Sequence, residues 1–123
     1  MKYLCLVYLE DAKFTAVPDR ECLDCSDGMR KQGLLLAAEP LFPVTTAKTV
    51  RVRDGRMSIT DGPFAETKEQ LGGIMILEAR DLNHAVDLIS KHPGAKFGPW
   101  EIRPAADLSE MIRLSEERRS RKS

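Results

Sequence analysis

Two carboxylates in one polar segment are the first candidates for chemistry in this chain. Asp61 and Glu66 lie in the run of residues 60–73, TDGPFAETKEQLGG, which also carries Lys68. A carboxylate beside a lysine in a pocket can transfer protons while the lysine binds an anionic substrate. On an open surface the same charges form salt bridges worth less than about 1 kcal/mol each. The sequence leaves catalysis and structure open for Asp61 and Glu66, and it favours a surface salt bridge for Lys68.

The same segment contains residues that shape the backbone. Residues 61–63 are typical of a turn, because Asp hydrogen-bonds nearby amides and Pro fixes one φ angle. We expect Phe64 to bury its ring and anchor the loop, and residues 66–69 form a polar stretch compatible with a short helix. The glycine pair 72–73 allows a sharp bend or the close approach of another chain.

Polar side chains on predicted strands are candidates for binding a ligand. Alternation along residues 100–103 places Glu101 and Arg103 on one strand face and the apolar pair on the other. An arginine facing a cavity suits a carboxylate, because its planar fork binds two oxygens. On an exposed edge strand the same side chains are merely solvated. We therefore name Arg103, Lys68 and Glu39 as candidates for binding a small anionic ligand.

Cys22 and Cys25 form a C-x-x-C pair on a predicted helix, close enough there to share one metal ion. A four-ligand site needs further partners, and only Cys5, His84 and His92 remain. A redox pair usually lies at a helix N-terminus, where the helix dipole lowers the thiol pKa, whereas Cys22 lies about one turn further in. We interpret both cysteines as buried core thiols and predict no metal site and no cofactor.

The two histidines differ in their predicted settings. His84 falls on the outward face of the second predicted helix, where it would be solvated. His92 precedes Pro93 at the end of that helix, where a partly charged imidazole would favour the helix dipole.

Hydrophobic periodicity predicts the elements that must position these residues. Apolar or alternating runs predict strands at residues 2–9, 34–39, 48–53, 57–59, 74–77 and 100–103. Apolar stripes predict helices at residues 18–32 and after the N-cap residue Asp81, and Asp54-Gly55 predicts a tight hairpin. This order matches a ferredoxin-like βαββαβ sheet, of the α+β class, with an inserted β-hairpin and two helices on one face.

The predicted strands 2–9 and 74–77 carry large apolar side chains on both faces, although two helices can cover only one face of the sheet. Each large apolar side chain left in water would cost roughly 1.5–3 kcal/mol. A second copy of the same surface is the simplest cover, so we predict a homodimer whose sheets pack face to face.

Composition limits the partners of the chain. Its 123 residues suit a single domain, and its 19 basic and 19 acidic residues give a net charge of zero. No global field favours nucleic acid or an anionic membrane, and we expect contact with neither. Three cysteines, an odd number, suit reduced thiols in the cytoplasm. We place the domain at residues 1–104 and a C-terminal helix with a solvated basic tail at residues 105–123.

The run at residues 60–73 resembles the signature of the DGPF group of YCII-related proteins. The opening MKY, the stretch TVRVRDG at residues 49–55 and EIRP at residues 101–104 agree with it. The resemblance covers roughly residues 1–104 and implies a dimeric α/β-barrel of ferredoxin-like subunits. It also implies a bacterial protein, and DGPF proteins often accompany or are fused to extracytoplasmic-function sigma factors.

The resemblance leaves the function open between two classes. Some relatives resemble small-molecule enzymes and are thought to use a His–Asp pair, whose histidine would fall near Cys22 in this chain. No histidine occurs on this helix, so Cys22 is kept as a further catalytic candidate beside Asp61 and Glu66. The resemblance also places His92, before Pro93, at a position that is acidic or histidine in relatives, and His92 is kept for that reason. One hypothesis is an enzyme with general acid/base chemistry on an anionic substrate. The other is a non-catalytic ligand-binding or regulatory dimer that acts with a sigma factor.

Overall fold

A computed structural model describes residues 1–121, which form six β-strands and three α-helices. The strands are β1 (Lys2–Glu10), β2 (Leu35–Pro40), β3 (Lys48–Arg53), β4 (Arg56–Asp61), β5 (Glu69–Glu78) and β6 (Trp100–Pro104). The α-helices are α1 (Asp19–Lys31), α2 (Leu82–Ser90) and α3 (Leu108–Arg121). Short 3-10 turns occur at Asp11–Lys13, Val44–Thr46 and Pro93–Lys96. The end of the predicted basic tail, residues 122–123, lies outside the described residues.

Four strands form an antiparallel sheet in the order β2-β5-β1-β6, and β3 and β4 pair separately as a hairpin. Without the hairpin, the chain follows a strand-helix-strand, strand-helix-strand order, which is the ferredoxin-like arrangement. The predicted α+β fold is therefore confirmed, with the hairpin inserted between β2 and β5 and α3 added after β6.

The core lies between the sheet and the helices α1 and α2. Alternation along β1 turns Tyr3, Cys5 and Leu9 to this side, where each is buried. The main cluster of buried residues contains Cys5, Met29, Leu35, Met75, Leu77 and Ile89. Since Met29 comes from α1 and Ile89 from α2, both helices cover the same face, as predicted.

The opposite face of the sheet is also apolar. Leu4 pairs with Ile76 and Leu6 pairs with Ile74, so these four side chains share the face turned away from the helices. Each is half-buried and belongs to neither core cluster. The predicted double-sided apolar pattern of the central strands is confirmed, and its cover by a second copy stays a prediction.

Local sequence signals account for several boundaries. Asp54 and Gly55 both have positive φ, 51° and 75°, as a two-residue hairpin between twisted strands requires. The Asp81 carboxylate accepts a hydrogen bond from the backbone N–H of His84 at 2.8 Å, which caps α2. Gly33, with φ of 74°, follows α1 as a left-handed residue.

Two expectations for the polar segment were wrong. Residues 66–69 form no helix, and β5 already begins at Glu69 and contains the glycine pair. Val7 pairs with Gly73 and Tyr8 with Leu71, so Gly72 is the extra residue of a β-bulge. The second error concerns Phe64, which is 76% exposed and lies against the Arg51 guanidinium, 5.0 Å from its ring centroid.

Within residues 1–121, no helix has both the length and the apolar character needed to cross a membrane.

Candidate functional site

A cavity of about 610 Å³ opens between α1 and the sheet. Its walls are mostly apolar, from β1, the loop before α1, α1 and the ends of β2 and β5. The polar or reactive groups that line it include Cys22, Ser26, His92 and Trp100. A mostly apolar cavity with a few convergent polar groups is the usual form of a small-molecule site.

His92 is the buried titratable group of this cavity, with 8% of its surface exposed. Its Nδ1 accepts a hydrogen bond from the backbone N–H of Gly94 at 2.9 Å, at the start of the 3-10 turn Pro93–Lys96. In a neutral ring the proton therefore lies on Nε2, which is left to donate to another group. Burial lowers the pKa of His92. The expected partly charged imidazole was wrong, because the ring is buried rather than solvated at the helix end.

Trp100 stands next to His92 in the cavity wall. The two ring centroids lie 5.1 Å apart with the planes tilted by 56°. The Trp100 indole N–H is buried, and no group in residues 1–121 accepts a hydrogen bond from it. A buried donor without a partner costs about 1–3 kcal/mol, so an acceptor reaching this wall would recover part of that cost.

Cys22 brings a thiol to the same cavity from the second turn of α1. Burial raises the pKa of Cys22, and the nearby Asp19 carboxylate adds to the effect. The thiol is therefore protonated near neutral pH. Cys25 instead packs against the main core cluster, although both thiols are only partly buried. The predicted setting of two buried core thiols is therefore met only in part. Among residues 1–121, no three His, Cys, Asp or Glu side chains gather to hold a metal ion.

Charged groups line the α1 side of the cavity and the end of β2. Asp19, Asp27 and Arg30 project from α1, and Glu39 comes from β2. Arg30 donates from Nη1 to the Asp27 carboxylate at 3.0 Å, and both side chains are more than half exposed. Of the ligand-binding candidates, Glu39 thus lines the cavity, although it is solvent-exposed.

Asp61 and Glu66 lie elsewhere on the chain and line neither described cavity. Asp61 ends β4 and pairs with Lys48 across the base of the hairpin. At the same base, Gly62 donates its N–H to the Ala47 carbonyl at 2.8 Å, and the Thr49 hydroxyl donates to the Gly62 carbonyl at 2.9 Å. Gly62 has φ of 104°, so glycine suits this closure. In a single chain, residues 61–62 therefore hold the base of the hairpin together through these contacts.

The remaining candidates also lie away from His92. Lys68 is exposed, with its Nζ 3.6 Å from the Glu10 carboxylate. Arg103 pairs with Glu101 at 3.9 Å, and both face away from the helices, as the alternation predicted. The structure therefore brings Cys22, His92 and Glu39 to one cavity, and it leaves Asp61, Glu66, Lys68 and Arg103 outside it. Whether any of them acts on a ligand stays a prediction.

Sequence reasoning missed the role of Trp100 as a wall of the cavity. A methyl group added to Gly94 would lie 3.1 Å from His92 Nδ1 and 3.7 Å from Trp100 Cζ2, so glycine leaves room for both rings. This contact depends on the folded turn, and the sequence between the two residues does not predict it.

The fold is that of a ferredoxin-like α+β protein with a mostly apolar cavity between α1 and the sheet. The family model for the YCII-related domain matches residues 1–109, so the chain belongs to the YCII-related family. An uncharacterized protein of Rhizobium meliloti (strain 1021) is 35% identical over 115 residues, covering 86% of this chain and 93% of that protein.

The solved structures that share the fold include an enzyme with a bound ligand. It is a 5-chloro-2-hydroxyhydroquinone dehydrochlorinase from Burkholderia phenoliruptrix AC1100 in complex with 2,5-dihydroxybenzoquinone. The match has a TM-score of 0.58 at 12% identity and covers 89% of this chain and 98% of that chain. At this identity the similarity establishes the architecture alone.

Proposed function

We propose that the protein is a small-molecule enzyme whose site is the cavity between α1 and the sheet. The observation that carries the proposal is His92, buried in the cavity wall with its Nδ1 occupied by the Gly94 N–H. A ring held in this way offers a fixed N–H donor at Nε2. The cavity volume of about 610 Å³ suits a small organic ligand.

The chemistry follows from the protonation state of the site. A neutral imidazole donates a hydrogen bond from Nε2 to a ligand oxygen and stabilises negative charge that develops there. The protonated thiol of Cys22 supplies a second proton-bearing group in the same cavity. We infer a reaction in which an enol, phenol or carbonyl oxygen gains charge while a proton moves on the ligand.

The mostly apolar walls favour a ring or other flat apolar body over a highly charged metabolite. The structural neighbour supports this class, because its name describes action on a chlorinated hydroquinone and its ligand is a dihydroxylated quinone. Both compounds combine a flat ring with oxygen substituents. An anionic oxygen on such a ring agrees with the anionic ligand expected from the sequence.

We also propose that the working form is a homodimer. Leu4, Leu6, Ile74 and Ile76 form the centre of a sheet face that none of the three helices described within residues 1–121 covers. A second copy would bury these side chains at a gain of about 25 cal/mol per Å² of apolar surface. In such a dimer, Arg103 of each copy would lie beside the buried face, where it is a candidate for binding an anion.

The alternative of a regulatory dimer acting through a sigma factor rests on the family resemblance alone. The enzyme hypothesis has the support of the cavity and its buried histidine. Asp61 and Glu66 stay candidates for proton transfer only if assembly brings them to a ligand.

Ligand-detected NMR with 2,5-dihydroxybenzoquinone and with phenol tests the proposal. We expect binding to the unmodified protein and at least a tenfold weaker affinity for His92→Leu, because leucine has no N–H to replace the Nε2 donor. The matched control His84→Leu changes a histidine outside the cavity and should bind normally. Equal affinity of both variants, or no binding of either compound to the unmodified protein, would contradict the proposed site.

A further inference from the structure

Two apolar surfaces on extensions of the fold belong to neither core cluster. The hairpin face consists of Val50, Val52, Met57 and Ile59, which the pairing of β3 with β4 places on one side of the ribbon. Their exposed fractions range from 55% for Ile59 to 67% for Val52. Burial of these side chains would stabilise the protein by about 25 cal/mol per Å² of apolar surface removed from water.

The second surface is the α3 face, which consists of Leu108, Met111 and Ile112. Their spacing of three and four residues places them on one side of α3. They are 67%, 55% and 52% exposed. Hence α3 is an amphipathic helix whose apolar side is not buried against residues 1–121.

The topology keeps the hairpin face and the α3 face apart within one chain. The hairpin follows β2, and α3 follows β6, and these two strands form opposite edges of the four-stranded sheet. A 180° rotation about an axis along the strands reverses the strand order. In a face-to-face pair of sheets related in this way, the β2 edge of one copy lies over the β6 edge of the other.

We propose that the hairpin face of one copy packs against the α3 face of a second copy, and reciprocally. The inference rests on the proposed homodimer and adds the contacts that lock it. Each copy contributes both surfaces, so the contact occurs twice and closes on itself, as two-fold symmetry requires.

The area agrees with a dimer. The seven side chains expose on the order of several hundred Å² of apolar surface, which is as large as the biggest patch on a typical monomer. Together with the half-buried sheet face, this approaches the roughly 800 Å² per partner that a stable interface of standard size buries.

Charge complementarity is confined to the part of α3 that carries its apolar face. Residues 48–61 of the hairpin hold four basic and two acidic residues, a net charge of +2. Residues 108–117 of α3 hold one basic and three acidic residues, a net charge of −2, whereas the whole helix, residues 108–121, has a net charge of +1. Attraction therefore favours contact of the hairpin with the first part of α3 and away from its basic last turn.

Disulfide crosslinking between separately made chains tests the contact. Both chains carry Cys22→Ser and Cys25→Ser, and one adds Val52→Cys while the other adds Met111→Cys. We expect the oxidised mixture to give a covalent dimer of one chain of each kind. Ser58→Cys lies on the opposite side of the ribbon and should give little crosslinking with Met111→Cys.

Sedimentation separates the failure of this inference from that of the dimer. Met57→Lys should weaken dimerisation at least tenfold, whereas Ser58→Lys, its neighbour on the polar side, should leave it unchanged. A stable dimer without the Val52–Met111 crosslink would overturn the proposed contact and leave the dimer standing. A monomer in the unmodified protein would overturn both, and ligand binding at His92 is measured independently of either result.

Discussion

The imidazole of His92 and the indole of Trp100 form a tilted ring pair, with centroids 5.1 Å apart, at one wall of the cavity. Gly94 supports the pair in two ways, since its N–H holds His92 Nδ1 and its missing side chain leaves space beside Trp100. One short turn therefore sets the orientation, the tautomer and the aromatic neighbour of the histidine.

His92 should make the stability of the protein depend on pH. Burial lowers its pKa in the folded state, so between that pKa and the unfolded value of about 6.5 the unfolded chain binds more protons. The contribution to stability is complete above about pH 6.5 and is lost as the pH falls through the folded pKa. Urea unfolding at a series of pH values, followed through Trp100 fluorescence, measures the slope. His92→Gln should reduce the slope of the free energy of unfolding against pH below about pH 6.5. An unchanged slope would mean that other groups cause the pH dependence.

The three cysteines should differ in their reaction with iodoacetamide. Burial raises the pKa of Cys5 to about 11 and Cys5 is fully buried, so it should stay unmodified in the folded protein. Cys22 lines the cavity and should react slowly, because its pKa is also raised. A ligand in the cavity should slow it several-fold further, whereas Cys25, which packs on the core, should be less affected. Peptide mass spectrometry resolves the sites, and equal protection of both would place the ligand elsewhere.

Two glycines should respond in opposite ways to an added methyl group. A Cβ on Gly98 would lie 1.9 Å from the Tyr8 carbonyl oxygen, and Tyr8 cannot move away without distorting the end of β1. Gly98→Ala should therefore cost about 3 kcal/mol or more. Gly28 lies within α1 with no atom within 4 Å of such a Cβ, so Gly28→Ala should stabilise by roughly 0.5–1 kcal/mol. Thermal unfolding of both variants provides the comparison, and similar effects would contradict the packing at Gly98.

Asp61 should have a small, salt-sensitive effect on stability. Its side chain and that of Lys48 are 85% and 64% exposed, so their ion pair is worth less than about 1 kcal/mol. Asp61→Asn and Lys48→Gln should therefore destabilise slightly, and a double variant should show little further loss. A catalytic Asp61 predicts a different result, in which Asp61→Asn leaves stability intact and abolishes turnover. Measuring stability and turnover on one preparation of Asp61→Asn decides between a structural and a catalytic role for Asp61.

The sequence predicted the fold more closely than the site because strand and helix signals are local. A continuous apolar run predicted β1, and the cap at Asp81 and the positive-φ pair at residues 54–55 marked boundaries that depend on a few neighbouring residues. Glu69 falls in the polar stretch that the sequence allows as a short helix, because β5 begins with polar residues and the bulge at Gly72 interrupts its alternation. Phe64 was expected to be buried because of its size, and the structure instead places it against Arg51 at the surface.

The cavity could not be predicted because its residues come from distant parts of the chain. Cys22 and His92 were weaker candidates than Asp61 and Glu66, since a polar segment is more conspicuous than a single histidine before a proline. Only the folded chain shows that α1 and the turn after α2 meet over the same end of the sheet. Burial of His92 depends on Trp100 and on the packing of that turn, which no local pattern reports.

The position of β1 has a consequence for how the protein is made. Among the four strands of the sheet β1 is synthesised first, yet both of its neighbours, β5 and β6, come from residues 69–104. A nascent chain that stops before Trp100 leaves one side of β1 without hydrogen bonds, which is a surface prone to aggregation. We expect folding to be completed only after synthesis has passed Pro104, at a rate limited by these long-range pairings. Chaperone capture should therefore be strongest for nascent chains that end between α2 and β6.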